Sequence, residues 1–277
     1  MKYLLETDGE RLVYFLKTRL FGTTGELPLP NCMIHTGRQS EFSIFFGEVA
    51  FVHTACRMIL AAKSLQRETN SRESRNLNDP VFISELKNHL RETYVPSYSL
   101  LDDLTRVVTR CVSASNEKIT KKQRSRYKKH AMKNHTNCYM CGVALDFGET
   151  DKIRMFTMEH IWPQSFGGNS IEENLLPSCG SCNHNKKKNF PTWAMVNIQS
   201  MLTGFEPNGN DLKIDGSVQF ALHHFAARRL AESKQISLKR AFLTLRPWTT
   251  PRIRDVNDVG DFFNLTNHQS ESTYARL

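Results

Sequence analysis

Apolar side chains recur at three- and four-residue spacing through most of residues 1–115, the pattern of helices that share a core. Leu12, Phe15, Leu16 and Leu20 form one such stripe, and Phe46, Val49, His53, Cys56 and Leu60 form a second. Leu100, Leu101, Leu104, Val107, Val108 and Cys111 form a third, with Ser99 as its expected N-cap. Residues 66–80 are polar and read as a surface loop. From 136 to 190 helical periodicity fades. Met155 to Met158 reads as a strand ending at Glu159-His160, Pro163 and Gly167-Gly168 force a loop, and Asn174-Leu175-Leu176 suits a second strand. Cys182 to Lys188 should open a helix. Past Pro191, Val218, Ala221, Leu222 and Phe225 restore the helical pattern, as do Leu238, Ala241, Phe242 and Leu245, which end before Pro247. The tail from Asp255 is polar and expected to fray.

The pattern predicts an α+β chain: a mainly helical protein that encloses one small strand–loop–strand–helix module. Four pieces follow. Residues 1–115 form a helical N-terminal domain with a regulatory, docking or DNA-targeting role. Residues 116–135 form a basic helix or linker, 136–190 the compact module, and 191–277 a helical C-terminal extension.

Composition narrows the setting. No apolar run among the 277 residues nears the ~20 needed to cross a bilayer. The first residues lack the basic, apolar and small-residue order of a signal peptide. A cytoplasmic protein is expected, whose seven cysteines are thiols or metal ligands rather than disulfides. The formal charge is +9, and residues 116–135 hold eight basic side chains against one acid. Lys121, Lys122, Arg124, Arg126, Lys128 and Lys129 dominate that block. It suits either a phosphate backbone or nothing beyond solvent.

The cysteines carry more information. Cys138-Tyr139-Met140-Cys141 and Cys179-Gly180-Ser181-Cys182 are two CxxC pairs separated by 37 residues. Each knuckle lets two thiolates reach one ion, and two knuckles complete the tetrahedral shell of a structural zinc. Gly142 and Gly180 suit the tight turns this requires. A redox role is the weaker alternative, since it needs only one such pair in a βαβ setting. Cys32, Cys56 and Cys111 have no such partners and read as small buried hydrophobes.

Between and beyond the knuckles stand Glu159-His160-Ile161, Pro163, Ser165, Gly167-Gly168, Asn174-Leu175, Cys182-Asn183 and Lys186. In order and spacing this set resembles the HNH endonuclease family over about residues 136–190. The resemblance implies a ββα-metal fold and phosphodiester hydrolysis. Glu stands where the family often has Asp, which leaves the metal preference open.

Residue chemistry agrees with that activity. His160 can take a proton from water near neutral pH. Glu159 is a hard oxygen ligand on the opposite strand face from its neighbour. Asn183 could add a second oxygen for Mg²⁺ or Mn²⁺, with His184 either assisting, replacing it or facing solvent. By the family resemblance Asn174 orients the loop that carries the histidine. Lys186 could hold the substrate backbone. The expected partner is DNA, joined by other proteins of a defence system, with no membrane. The expected role is a microbial anti-phage defence or restriction effector. The alternatives are a homing or phage-encoded nuclease, an RNA-directed nuclease, and a silent zinc module that only binds nucleic acid.

Overall fold

The computed structural model describes residues 4–20, 39–69, 76–94, 97–134, 136–148, 150–186 and 216–247. The expected α+β composition is present: these residues are mainly helical, with one two-stranded sheet. Helix α1 (Asp8–Phe15) starts at a capping box, in which Thr7 Oγ1 accepts from Glu10 N and Thr7 N donates to Glu10. It widens into a π-helical turn at Leu16–Leu20. Helices α2 (Gln39–Thr69), α3 (Pro80–Tyr94) and α4 (Tyr98–Asn116) pack with α1 into a bundle.

The burial explains this arrangement. Leu101, Leu104, Val108, Cys111 and Val112 line one face of α4, as its sequence stripe predicts. Helix α3 contributes Phe82, Leu86 and Leu90 at four-residue spacing. Helix α2 differs from expectation. It buries Val49, Val52, Cys56 and Ile59, while Leu60 is 52% exposed and His53 is half-buried. Phe51, Ala55, Met58 and Ala62 are buried as well. Because α2 is apolar on several sides, periodicity alone did not single out the face that docks.

Two boundaries also move. Helix α2 runs on to Thr69, so only Asn76–Asp79 of the expected 66–80 loop is described as non-helical. Asp79 then accepts from Val81 N at 2.9 Å, and Pro80 occupies the first helical position. In α4 the N-cap is Ser97, whose carbonyl accepts from Leu100 and Leu101, and Ser99 lies inside the first turn.

Helix α5 (Lys121–Lys133) has its own capping box from Thr120 and Gln123. Ala131 is its one buried side chain among the described residues, so this helix is held by its cap and ends rather than by a packed face. A short hairpin follows: β1 (Phe156–His160) pairs antiparallel with β2 (Leu175–Cys179), with His160 opposite Leu175 and Phe156 opposite Cys179. Helix α6 (Gly180–Lys186) lies against both strands. Helices α7 (Gly216–Lys234) and α8 (Leu238–Leu245) pack on each other and return to the module.

The core is continuous across these parts. Buried residues of α1–α4 join Tyr139, Ile161, Trp162 and Leu176 of the module and Phe220, Leu230 and Phe242 of the last two helices. A buried ionic cluster sits in this seam: Arg228 Nη2 lies 2.5 Å from Glu48, which also pairs with Lys17. Burial pushes the Glu48 carboxyl up, but Arg228 and Lys17 outweigh it and hold the group below its ordinary value. Arg228 also stands over the Trp162 ring, 5.9 Å from its centroid.

Candidate active site

The first knuckle begins at Cys138, whose N–H donates to Val143 O, while Gly142 N returns to Cys138 O. Gly142 has φ of +75°, the left-handed turn that a side chain would strain. The second knuckle uses its glycine differently. Gly180 does not have a positive φ; a Cβ there would meet Lys152 O at 2.2 Å, so glycine is needed for close approach. That corrects the expectation of a tight turn at Gly180. Ser181 N then donates to Ile153 O, which fixes the start of α6.

These turns bring the four thiols together. All Sγ atoms of Cys138, Cys141, Cys179 and Cys182 lie within 4.8 Å of one another, with Cys141 and Cys179 3.8 Å apart. A tetrahedral zinc with Zn–S bonds of ~2.3 Å sets sulfurs roughly 3.8 Å apart, so the cage has the right size. The thiols also conflict without a cation. A hydrogen bond with Cys182 holds the Cys138 thiol down at about 4, whereas burial pushes Cys141 up to about 11. The bond to Cys138, then burial, raise Cys182. A dication bound among them would allow all four to ionise side by side. Cys56 and Cys111 sit buried in the helical core, where burial raises their thiols. Cys32 lies outside the described residues.

The loop between the strands is braced from within. Asn174 is only 2% exposed. Its Oδ1 accepts from Trp162 N at 2.8 Å, and its Nδ2 donates to Trp162 O at 3.0 Å and Asn169 O at 2.9 Å. Ile161 N donates to Asn174 O. Gly168 permits this closeness, since a Cβ there would meet Trp162 O at 1.9 Å. His160 enters the loop from the end of β1, with Nε2 3.0 Å from Ser170 Oγ.

Strand alternation sends Glu159 to the other face, shared with Thr157. Burial and then the Glu159 charge push the Tyr139 phenol well above its usual range. Thr157, Met155 and Lys152 line a cleft of about 500 Å³, closed on the other side by Asn183 and His184 of α6. Asn183 is half-buried and His184 exposed. The cleft thus unites Asn183 and His184 over the strand face that Glu159 continues, while neither Glu159 nor His160 lines it. Lys186 closes α6, its side chain outside the described residues, as are Lys187 and Lys188.

Of the basic residues, Lys121, Lys122, Arg124, Arg126 and Lys129 are exposed and Lys128 is half-buried. Arg126 reaches Glu172 of the loop at 3.5 Å, an exposed pair of small energetic weight. No described helix is long and apolar enough to cross a membrane. The residues missed by sequence reasoning are Ser170, Gln164 and Glu117, which surround His160 through contacts that join distant segments. Local spacing offered nothing to find them by.

No curated protein and no solved structure matches the chain. A family model does, described as HNH endonuclease. Its match spans residues 138–196, so the segment that carries the cysteine cage, the β1–β2 hairpin and α6 is an HNH endonuclease domain.

Proposed function

We propose that this protein is a metal-dependent endonuclease that hydrolyses DNA phosphodiester bonds. The observation that carries the reading is His160, held at the end of β1 by Ser170 inside a loop that Asn174 braces, all within an HNH endonuclease domain. The imidazole takes a proton from water, the resulting hydroxide forms the new P–O bond, the bond to the leaving sugar oxygen breaks, and that oxygen takes a proton from solvent. Asn174 acts by orientation: its three side-chain hydrogen bonds leave it engaged with the backbone. A carboxylate and an amide oxygen form a sparse hard-donor set, so Glu159 and Asn183 would hold Mg²⁺ or Mn²⁺, with His184 beside them. That ion, when bound, supplies charge neutralisation at the phosphate. The cage of Cys138, Cys141, Cys179 and Cys182 would hold zinc as a structural ion.

The exposed cations of α5, together with Lys186, would grip the DNA backbone. The proposed functional division is 1–115, a helical unit with a regulatory, docking or DNA-targeting role, 116–135, a basic helix, 136–190, the nuclease, and 191–277, a helical extension. A nuclease at large in a cell endangers its host, and the large helical body around this one supports a controlled role in anti-phage defence or restriction.

One set of variants tests the reading. His160→Ala should lose cleavage by ~10²-fold or more while DNA affinity and zinc content stay. EDTA should stop cleavage, and Mg²⁺ or Mn²⁺ should restore it. Neutralising Lys121, Lys122, Arg124 and Lys129 together should instead weaken binding and flatten its salt dependence. Phage plating should fall with the wild type and recover with His160→Ala. Cleavage that survives in His160→Ala would overturn the mechanism, and preferred cleavage of matched RNA would overturn the substrate.

A further inference from the structure

Glu117 ends α4, where its backbone turns extended at φ −61° and ψ 145°. It lies outside residues 138–196, yet it grips the loop of the HNH domain at three points. Its Oε2 accepts from Ser170 N at 2.6 Å, and its Oε1 accepts from Asn169 Nδ2 at 2.9 Å. Its carbonyl accepts from Gln164 Nε2. Asn169 is held from the other side by Asp8, whose N–H donates to Asn169 Oδ1 at 2.9 Å. Asp8 in turn is fixed by Arg110 of α4, at 2.8 Å.

These bonds converge on one hydroxyl. Ser170 is 8% exposed, and its Oγ stands 3.0 Å from His160 Nε2 and 3.3 Å from Gln164 Nε2. The Glu117 carbonyl can only accept, so it forces the Gln164 amide to present its NH₂ group. That group then donates to Ser170 Oγ as well. With one lone pair so used, the hydroxyl can still accept from His160 Nε2–H or donate to a bare Nε2, and the imidazole tautomer decides which. A histidine that donates through Nε2 carries its lone pair on Nδ1, the form a general base requires at that nitrogen.

We infer that Glu117 is a positioning residue for His160, acting through Ser170 and Gln164 to set the tautomer and direction of the imidazole. The end of α4 is thereby a working part of the nuclease centre. The inference rests on the reading of His160 as the base, and it deepens that reading.

The test uses the full chain with Glu117→Ala, Glu117→Gln and Ser170→Ala, and His160→Ala as the reference. Imidazole ¹⁵N spectra, with His160 assigned by its loss in His160→Ala, should show the Nε2–H tautomer in the wild type. Glu117→Ala and Ser170→Ala should shift that resonance toward a mixture. In steady-state cleavage, both should lower kcat by roughly 10- to 100-fold, the range found when an orienting partner is removed. KM, DNA affinity and zinc content should hold. Glu117→Gln keeps one side-chain acceptor and should recover part of kcat.

An unchanged His160 resonance in Glu117→Ala and Ser170→Ala would overturn the inference. So would a loss shared equally by kcat, DNA affinity and zinc content, which marks a role in folding only. Should Glu117→Ala fail to fold, Glu117→Gln and Ser170→Ala carry the same readouts. If His160→Ala still cleaves, the base reading fails by itself, and the ¹⁵N shift still reports whether Glu117 governs the imidazole.

Discussion

The helical body and the HNH domain are built on opposite economies of structure. Helices α1–α4 interlock apolar faces, with Leu12, Leu16, Val52, Ile59, Leu86, Leu90, Leu104 and Val108 all at or near zero exposure. Residues 136–186 have two five-residue strands and one seven-residue helix, too little regular structure to enclose a core of their own. They are closed by four sulfurs, by glycines that let backbones touch, and by the apolar core they share with the helices. Burial spreads stability over dozens of contacts, whereas a cage concentrates it in one place. A region of the first kind tolerates a lost methyl group. One of the second kind tolerates little at the cage or at the glycines where its backbones touch.

The widest gap between the two should come from the cage. If the cage holds zinc as proposed, replacing Cys141 and Cys179 by serine should remove a contribution of ~10–16 kcal/mol, the scale of structural zinc in small domains. Bound zinc should vanish, and hydrogen exchange should show residues 136–186 open while Leu86, Leu104 and Val108 stay protected. Retained stoichiometric zinc, or collapse of all four helices together, would break the contrast. A cut in the other region should be smaller and should ignore metal. Leu86→Ala in the fully buried face of α3 should cost about 2–5 kcal/mol by chemical denaturation, equally with and without a zinc chelator. A chelator-dependent loss would show that the helices lean on the cage.

The smallest effect belongs to the seam. His223 of α7 is buried against Phe242, with ring centroids 5.3 Å apart, and burial holds its imidazole down at about 4 despite a hydrogen bond to the Arg246 backbone. Above about pH 6.5 the ring is neutral folded or unfolded, so stability is flat. Between 6.5 and 4 the unfolded chain takes up a proton that the folded chain refuses, and stability falls with pH. The total loss is about 3 kcal/mol once both values are passed. His223→Leu should remove that slope from the denaturation midpoints while leaving any acid sensitivity of the thiolates in place. An unchanged slope would move the acid response wholly to the cage.

Sequence reading was sharpest where chemistry is local. Two thiolates must be three residues apart to share an ion from one turn, so both knuckles are legible in the sequence, and the fold brings their four sulfurs together. The α+β composition followed from the change of periodicity after the basic block. Less could be read where packing decides. The docking face of α2 was ambiguous because apolar residues surround it. Ser97 and Ser99 are equally plausible caps by type, and only the path of the chain selects the first. Gly180 was expected for a turn and serves a close approach to Lys152 O. Glu117 and Ser170 are ordinary polar residues until tertiary structure brings them to His160.

Gly9 has a bearing on transplantation. It lies in the first turn of α1, donates to Gly167 O at 2.9 Å, and would press a Cβ within 2.0 Å of Trp162 Nε1. Gly167, at φ +84°, would press its own Cβ to 2.9 Å from Cys111 Cβ. The two backbones therefore meet as a matched pair of bare surfaces. A chimaera that grafts residues 136–186 onto foreign helices must recreate both clearances, and a recipient with alanine at the position of Gly9 would reject the graft however faithfully the cysteines were copied.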